Sequence, residues 1–100
     1  MAGSKPYRLD PKAQQEIIGA DDWYAQRSAD ASVEFLDAVS DGLEKISNAP
    51  LRWPKYIYGT RRFVFHHFPF SMVYLDEPDE LTVVALAHSK RKPGYWKQRL

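Results

Sequence analysis

Apolar side chains recur along this chain with two different periods, and the switch between them divides it. Ala13, Ile17, Ala20 and Tyr24 fall three or four residues apart, with Ile18 and Trp23 beside that stripe. This is the spacing of one face of a helix. Asp10-Pro11 marks its start, because Asp caps the orphan N–H groups and Pro is pre-set for the first helical position. The helix is expected to run to about Arg27, slightly weakened by Gly19. Residues 28–32 interrupt the pattern, and Asp30 is expected to cap a second helix. Its stripe is Phe35, Val39, Leu43 and Ile46, with Asp37, Asp41 and Glu44 off it. It should end near Asn48, since Pro50 biases its predecessor away from helical backbone. Two helices joined by a short link form an antiparallel hairpin.

Residues 51–60 (LRWPKYIYGT) are irregular and aromatic, and after them the period becomes two. Residues 61–66 alternate, with Arg61, Phe63 and Phe65 on one face and Arg62, Val64 and His66 on the other. The phenylalanines should face the helices, which leaves Arg62 for the open face. An arginine on the helical side needs a carboxylate partner or must snorkel to the edge. Residues 70–75 make a second strand, "DEPDE" at 76–80 a polar turn, and "LTVVALAH" at 81–88 a third strand, apolar enough to be buried on both faces. With a short β-permissive stretch at 6–9, the order is β-α-α-β-β-β. That is an α+β fold, an N-terminal helical hairpin packed on one face of a small antiparallel sheet.

One hundred residues suffice for one domain, 1–100, and not for two independent cores. No apolar run approaches the roughly 18–20 residues of a membrane span. The start of the chain, MAGSKPYRL, has no apolar region of the secretory kind. The lack of cysteine removes disulfides and thiolate metal sites and suits a reducing cytoplasm. The formal charge of +1 hides an asymmetry. Residues 1–50 hold five Lys/Arg against nine Asp/Glu, and residues 51–100 hold nine against four. The last fourteen residues alone carry five cations and no acid. A basic half of a small domain suggests an anionic partner.

Four pieces then carry a resemblance: "LDPKAQQEI" (9–17), "FLDAVSDGLEKISNAP" (35–50), "RRFVFHHFPFSMVY" (61–74) and "VVALAHSKRKPGYWKQR" (83–99). In this order they resemble the RelE/ParE superfamily of toxins from bacterial type II toxin–antitoxin systems. The resemblance implies a cytoplasmic, growth-inhibiting protein without a cofactor. A cognate antitoxin, acidic and partly disordered, would neutralise it in a hetero-oligomer.

Two activities live on that fold. The RelE branch cuts messenger RNA on the ribosome, and the ParE branch poisons DNA gyrase without known catalysis. RNA cleavage needs a base, an acid and cations for the phosphorane charge. Arg62, Lys90, Arg91 and Tyr95 are the residues for that reading, with the Tyr95 phenol drawn below its usual pKa by the surrounding charge. Laid on the RelE branch, Arg62 and Lys90 fall on basic positions. Val64 and Ser71, however, stand where that branch is basic, and Trp96 stands where its tyrosine would. The Arg-Arg strand entry and the strand-terminal His88 resemble the ParE branch more closely. On the ParE reading the target-binding set is Arg61, Arg62, Lys90, Arg91, Lys92, Tyr95 and Trp96. A third reading is a non-toxic relative kept as a binding module. His66 and His67, adjacent on a strand, should point to opposite faces and share no metal, and His88 is expected to serve the end of a buried strand.

Overall fold

Asp10 starts the first helix by accepting the Lys12 N–H at 2.8 Å, with Pro11 at the first helical position. The structure, a computed structural model, describes residues 4–100. Its elements are β1 (Tyr7–Leu9), α1 (Pro11–Ala25), α2 (Ala29–Asn48), β2 (Arg61–Val64), β3 (Phe70–Asp76) and β4 (Leu81–His88), with short 3-10 turns at Ile57–Gly59 and Lys97–Arg99. The expected order holds, with two local corrections. Ser28, not Asp30, caps α2: its backbone is extended and its Oγ accepts the Ala31 N–H at 2.9 Å. Asp30 sits inside the first turn, where its charge suits the positive end of the helix dipole. β2 stops at Val64, so His66 and His67 are exposed turn residues with ring centroids 6.5 Å apart.

The sheet order is β1-β4-β3-β2. β2, β3 and β4 are antiparallel, but β1 pairs parallel with β4, so the sheet is mixed. The helical hairpin and two strands separate β1 from β4, which is ample chain for a same-direction return. Register decides which side chains share a face. Phe63 lies opposite Met72, and Met72 opposite Leu86. This row faces α2, whose Phe35, Val39, Leu43 and Ile46 close over it. Each such buried side chain contributes roughly 1.5–3 kcal/mol. At Gly42 the helix leaves the side chains of this layer the space a Cβ would take. A Cβ there would lie 3.0 Å from both Met72 Cε and a ring carbon of Phe65.

The other face is not bare. Arg62, Val73 and Ala85 form a cross-strand row on it. Trp96 returns from the C-terminal segment to pack on Val73, Val84 and Ala85 as a second small core. The register shifts between Val73 and Tyr74, so that Val73 pairs with Ala85 but Tyr74 with Val83. Val84 is the extra residue of this β-bulge. Its effect is a phase change: Val83 and Leu86 join the core under the helices, and Val84 and Ala85 the core under Trp96.

Tyr74 adds a titratable group to the first core. Its side chain is fully buried and its hydroxyl donates to the Pro50 carbonyl at 2.6 Å. Burial pushes this phenol up to about 12. A folded-state pKa raised above the unfolded value near 10 gives stability that is complete below pH 10 and lost as pH climbs towards 12. At 1.36 kcal/mol per unit the loss is about 2–3 kcal/mol. Urea midpoints at pH 9 and pH 11.5 should therefore differ more for the wild type than for Tyr74→Phe; equal differences would show that Tyr74 titrates freely.

Candidate functional site

The C-terminal segment is folded by its own backbone. Lys90 N–H donates to His88 Nδ1 at 3.0 Å, and Arg91 N–H to the His88 carbonyl at 3.0 Å. Gly94 then turns the chain at φ +84°, where a Cβ would meet the Tyr58 ring at 2.9 Å. Both the conformation and the space require glycine there. The turn delivers Trp96 to the sheet and sets the cations around it.

Besides Arg99, whose guanidinium is 5.1 Å from the centre of Tyr95, three cations of this face lie over tyrosine rings. The guanidinium of Arg62 is 4.3 Å from the centre of Tyr56, that of Arg91 is 3.7 Å from Tyr95, and the Lys97 ammonium is 4.8 Å from Tyr58. Stacking of this kind fixes a guanidinium without consuming the N–H donors at its rim. Among the described residues the ion pairs are Lys5–Asp76, Arg8–Glu80, Lys45–Asp41 and Arg99–Glu16. Arg62, Lys90, Arg91, Lys92 and Lys97 take part in none of these. Arg62, Arg91 and Lys92 border one hollow of about 70 Å³, with Ser71 and Ser89 beside them.

Behind this patch lies an ion pair that sequence reasoning missed. Arg99 donates to Glu16 through its two terminal guanidinium nitrogens, at 2.8 and 3.1 Å. The side chains are only 12% and 19% exposed. Glu16 also accepts the Leu86 N–H at 3.1 Å and the Tyr95 hydroxyl at 2.5 Å, and Arg99 donates to the Val84 carbonyl at 2.9 Å. The three-residue β1 covers β4 only as far as Val83. Beyond it, these two side chains satisfy the strand edge that no further strand pairs. A signal was present: Glu16 stands among Ala13, Ile17 and Ala20 on the apolar side of α1, where a carboxylate needs a partner.

The sequence-derived residues therefore separate. Arg62, Arg91 and Lys92 share one hollow, and Lys90 is exposed on the turn just before it. Arg61 is not with them. Its guanidinium reaches the Trp53 and Leu51 carbonyls at 2.7 and 3.3 Å, so backbone oxygens serve it, where a carboxylate partner or an escape to the edge was expected. Trp96, 1% exposed, holds the segment down and offers no surface to a partner. The phenol of Tyr95 moves opposite to expectation. Burial first, then the hydrogen bond to Glu16 and its negative charge, push its pKa up, against the smaller opposing pull of Arg99 and Arg91. His88 packs its ring edge-to-face on Phe70 at 5.1 Å and anchors the turn, a structural post. Among the described residues no three His, Asp or Glu side chains gather as a metal site requires. No helix of the described residues is long and apolar enough to cross a membrane.

A second surface feature adjoins the patch. Gly19, Trp23 and Tyr24 of α1, with Phe70 and Leu86 of the sheet, line a mainly apolar cleft of about 430 Å³ that has Arg91 at its rim. Val33 and Leu36, three apart on α2, are exposed as well.

The sequence matches the family model described as "ParE toxin of type II toxin-antitoxin system, parDE" over residues 7–93. A search of curated proteins finds no match. Among solved structures, the fold is similar to a chain of the structure titled "Chromosomal ParDE TA system from P. aeruginosa". The TM-score is 0.73 at 12% identity, over 85% of this chain and 96% of that one. At that identity the likeness is one of fold.

Proposed function

Since the chain belongs to the ParE toxin family of type II toxin–antitoxin systems, we propose that it inhibits DNA gyrase by binding rather than by catalysis, and that a cognate antitoxin neutralises it by covering its surface. The observation that carries this reading is the state of Tyr95. The phenol nearest the cations donates its proton to Glu16 at 2.5 Å and has its pKa raised. A group so held is a poor base for a 2′-hydroxyl and a poor acid for a leaving oxygen at neutral pH. The cations of the patch are suited to binding, and Val64 on β2 and Ser71 on β3 stand where a nuclease would use further basic side chains.

The antitoxin side of the proposal rests on exposed apolar surface. The cleft beside α1 and the row Val33 and Leu36 are the kind of surface an amphipathic, acidic segment covers while folding onto its partner. Expression without the antitoxin should arrest growth in the cytoplasm of a bacterial host.

Purified protein added to gyrase, ATP and relaxed plasmid should stop supercoiling, and Tyr95→Phe should inhibit as well as the wild type. Supercoiling that continues at excess toxin would refute the target. Loss of toxicity in a folded Tyr95→Phe protein would restore the ribosome-dependent endonuclease reading.

A further inference from the structure

The patch says more about its ligand than that it is anionic. We infer that the hollow between Arg62 and Arg91 holds a backbone phosphate of double-stranded DNA, and that the protein grips the duplex without reading its bases. This deepens the gyrase reading, and is tested apart from it.

Two observations carry the inference. The first is the presentation of charge. Arg62 and Arg91 lie over the rings of Tyr56 and Tyr95, are in no ion pair among the described residues, and border one hollow with Lys92 and the hydroxyl-bearing Ser71 and Ser89. Planar forks fixed by stacking, with free edges, match the oxygens of a phosphodiester. A single carboxylate would leave most of those donors without partners.

The second observation separates duplex from single strand. Proteins that hold unpaired nucleic acid stack its bases on aromatic rings. Here each tyrosine beside the patch already carries a cation: Arg62 on Tyr56, Arg91 on Tyr95 and Lys97 on Tyr58. Trp96 is buried beneath them, in edge-to-face contact with Tyr58 at 6.0 Å. The rings are occupied in orienting the cations. What remains for a nucleic acid is a set of phosphate contacts, which a duplex offers with its bases paired.

The test measures fluorescence anisotropy of labelled 20-base-pair duplex DNA of arbitrary sequence, the matching single strand, single-stranded RNA of that sequence, and poly-glutamate, each titrated with the full chain. With about three phosphates neutralised, log K should fall against log salt with a slope of about −2.7, an approximately 40-fold weakening from 50 to 200 mM salt. The duplex should bind tightest, and two unrelated duplex sequences should bind alike. Arg62→Ala and Arg91→Ala should each reduce the slope by about 0.9, whereas Lys45→Ala, on the helical layer, should not change it. Arg62→Lys should keep the slope and lower affinity, which covers the case of an alanine variant that does not fold. Tighter binding of either single strand or of poly-glutamate, a salt-independent K, or no duplex binding at 20 mM salt would overturn the inference. A protein that blocks supercoiling yet binds no duplex would leave the target standing and remove the phosphate site.

Discussion

Trp96→Ala is expected to lower the free energy of unfolding by about 3–5 kcal/mol, the range for deleting a large buried aromatic ring. The side chain is 1% exposed and packs on Val73, Val84 and Ala85, with Tyr56 and Tyr95 at its margins. The α2 side of the sheet stays covered in the variant, so the loss falls on the second core. A small domain holds about 5–15 kcal/mol in all, and the variant spends much of that margin. The consequence for activity is separate. Arg91, Lys92 and Lys97 are held in place by the segment that Trp96 pins down, so the folded fraction should also bind its target more weakly. Urea denaturation followed by circular dichroism gives the first number, and the supercoiling assay at a temperature where the variant is folded gives the second. A loss below 1 kcal/mol, or unimpaired inhibition, would mean the segment needs no anchor.

Glu16→Ala should cost about 3 kcal/mol, although a glutamate on an exposed helix face would cost almost nothing. Removing one partner of a largely buried pair leaves the other charge without compensation, an effect of roughly 3–5 kcal/mol. Here it also strands the Leu86 N–H and leaves the Tyr95 hydroxyl only a long bond to the Leu86 carbonyl, at 3.4 Å. The value sits at the lower end because both side chains keep some exposure, 12% and 19%. Glu16→Gln retains an acceptor and should recover part of the loss. Arg99→Met removes the opposite charge and should cost less in the Glu16→Gln background than in the wild type, the coupling a double-mutant cycle reads. Additive losses would show that the two residues act independently.

How much of this could be read along the chain depends on how local each cause is. The two helices were legible because their stripes, Ala13 to Tyr24 and Phe35 to Ile46, repeat with helical spacing and are bounded by Asp10-Pro11 and Pro50. β4 was legible to the residue, since eight successive mostly apolar positions admit few other structures. The face of Arg62 followed from alternation with Phe63. The parallel pairing of β1 did not, because three residues carry no directional signal and their partner lies about seventy positions away. The bulge at Val84 was equally silent: every residue from Leu81 to Leu86 is buried, so no exposed position marks the change of phase. The candidate site divides along the same line. Grouping cations near the end of the chain was a local reading. Arg61 leaving the group, Trp96 turning inward and Tyr95 meeting Glu16 depend on contacts across the fold, the last between residues 79 positions apart.

The covered edge of β4 has a consequence for how the protein behaves at high concentration. An unpaired strand edge is a template on which a neighbouring molecule can add its own strand and begin a fibre. Glu16 and Arg99 occupy the Leu86 donor and the Val84 acceptor, so this edge gives an incoming backbone little to bond. A change that removes either side chain frees its backbone partner, so Glu16 and Arg99 variants should precipitate sooner than the wild type as concentration rises.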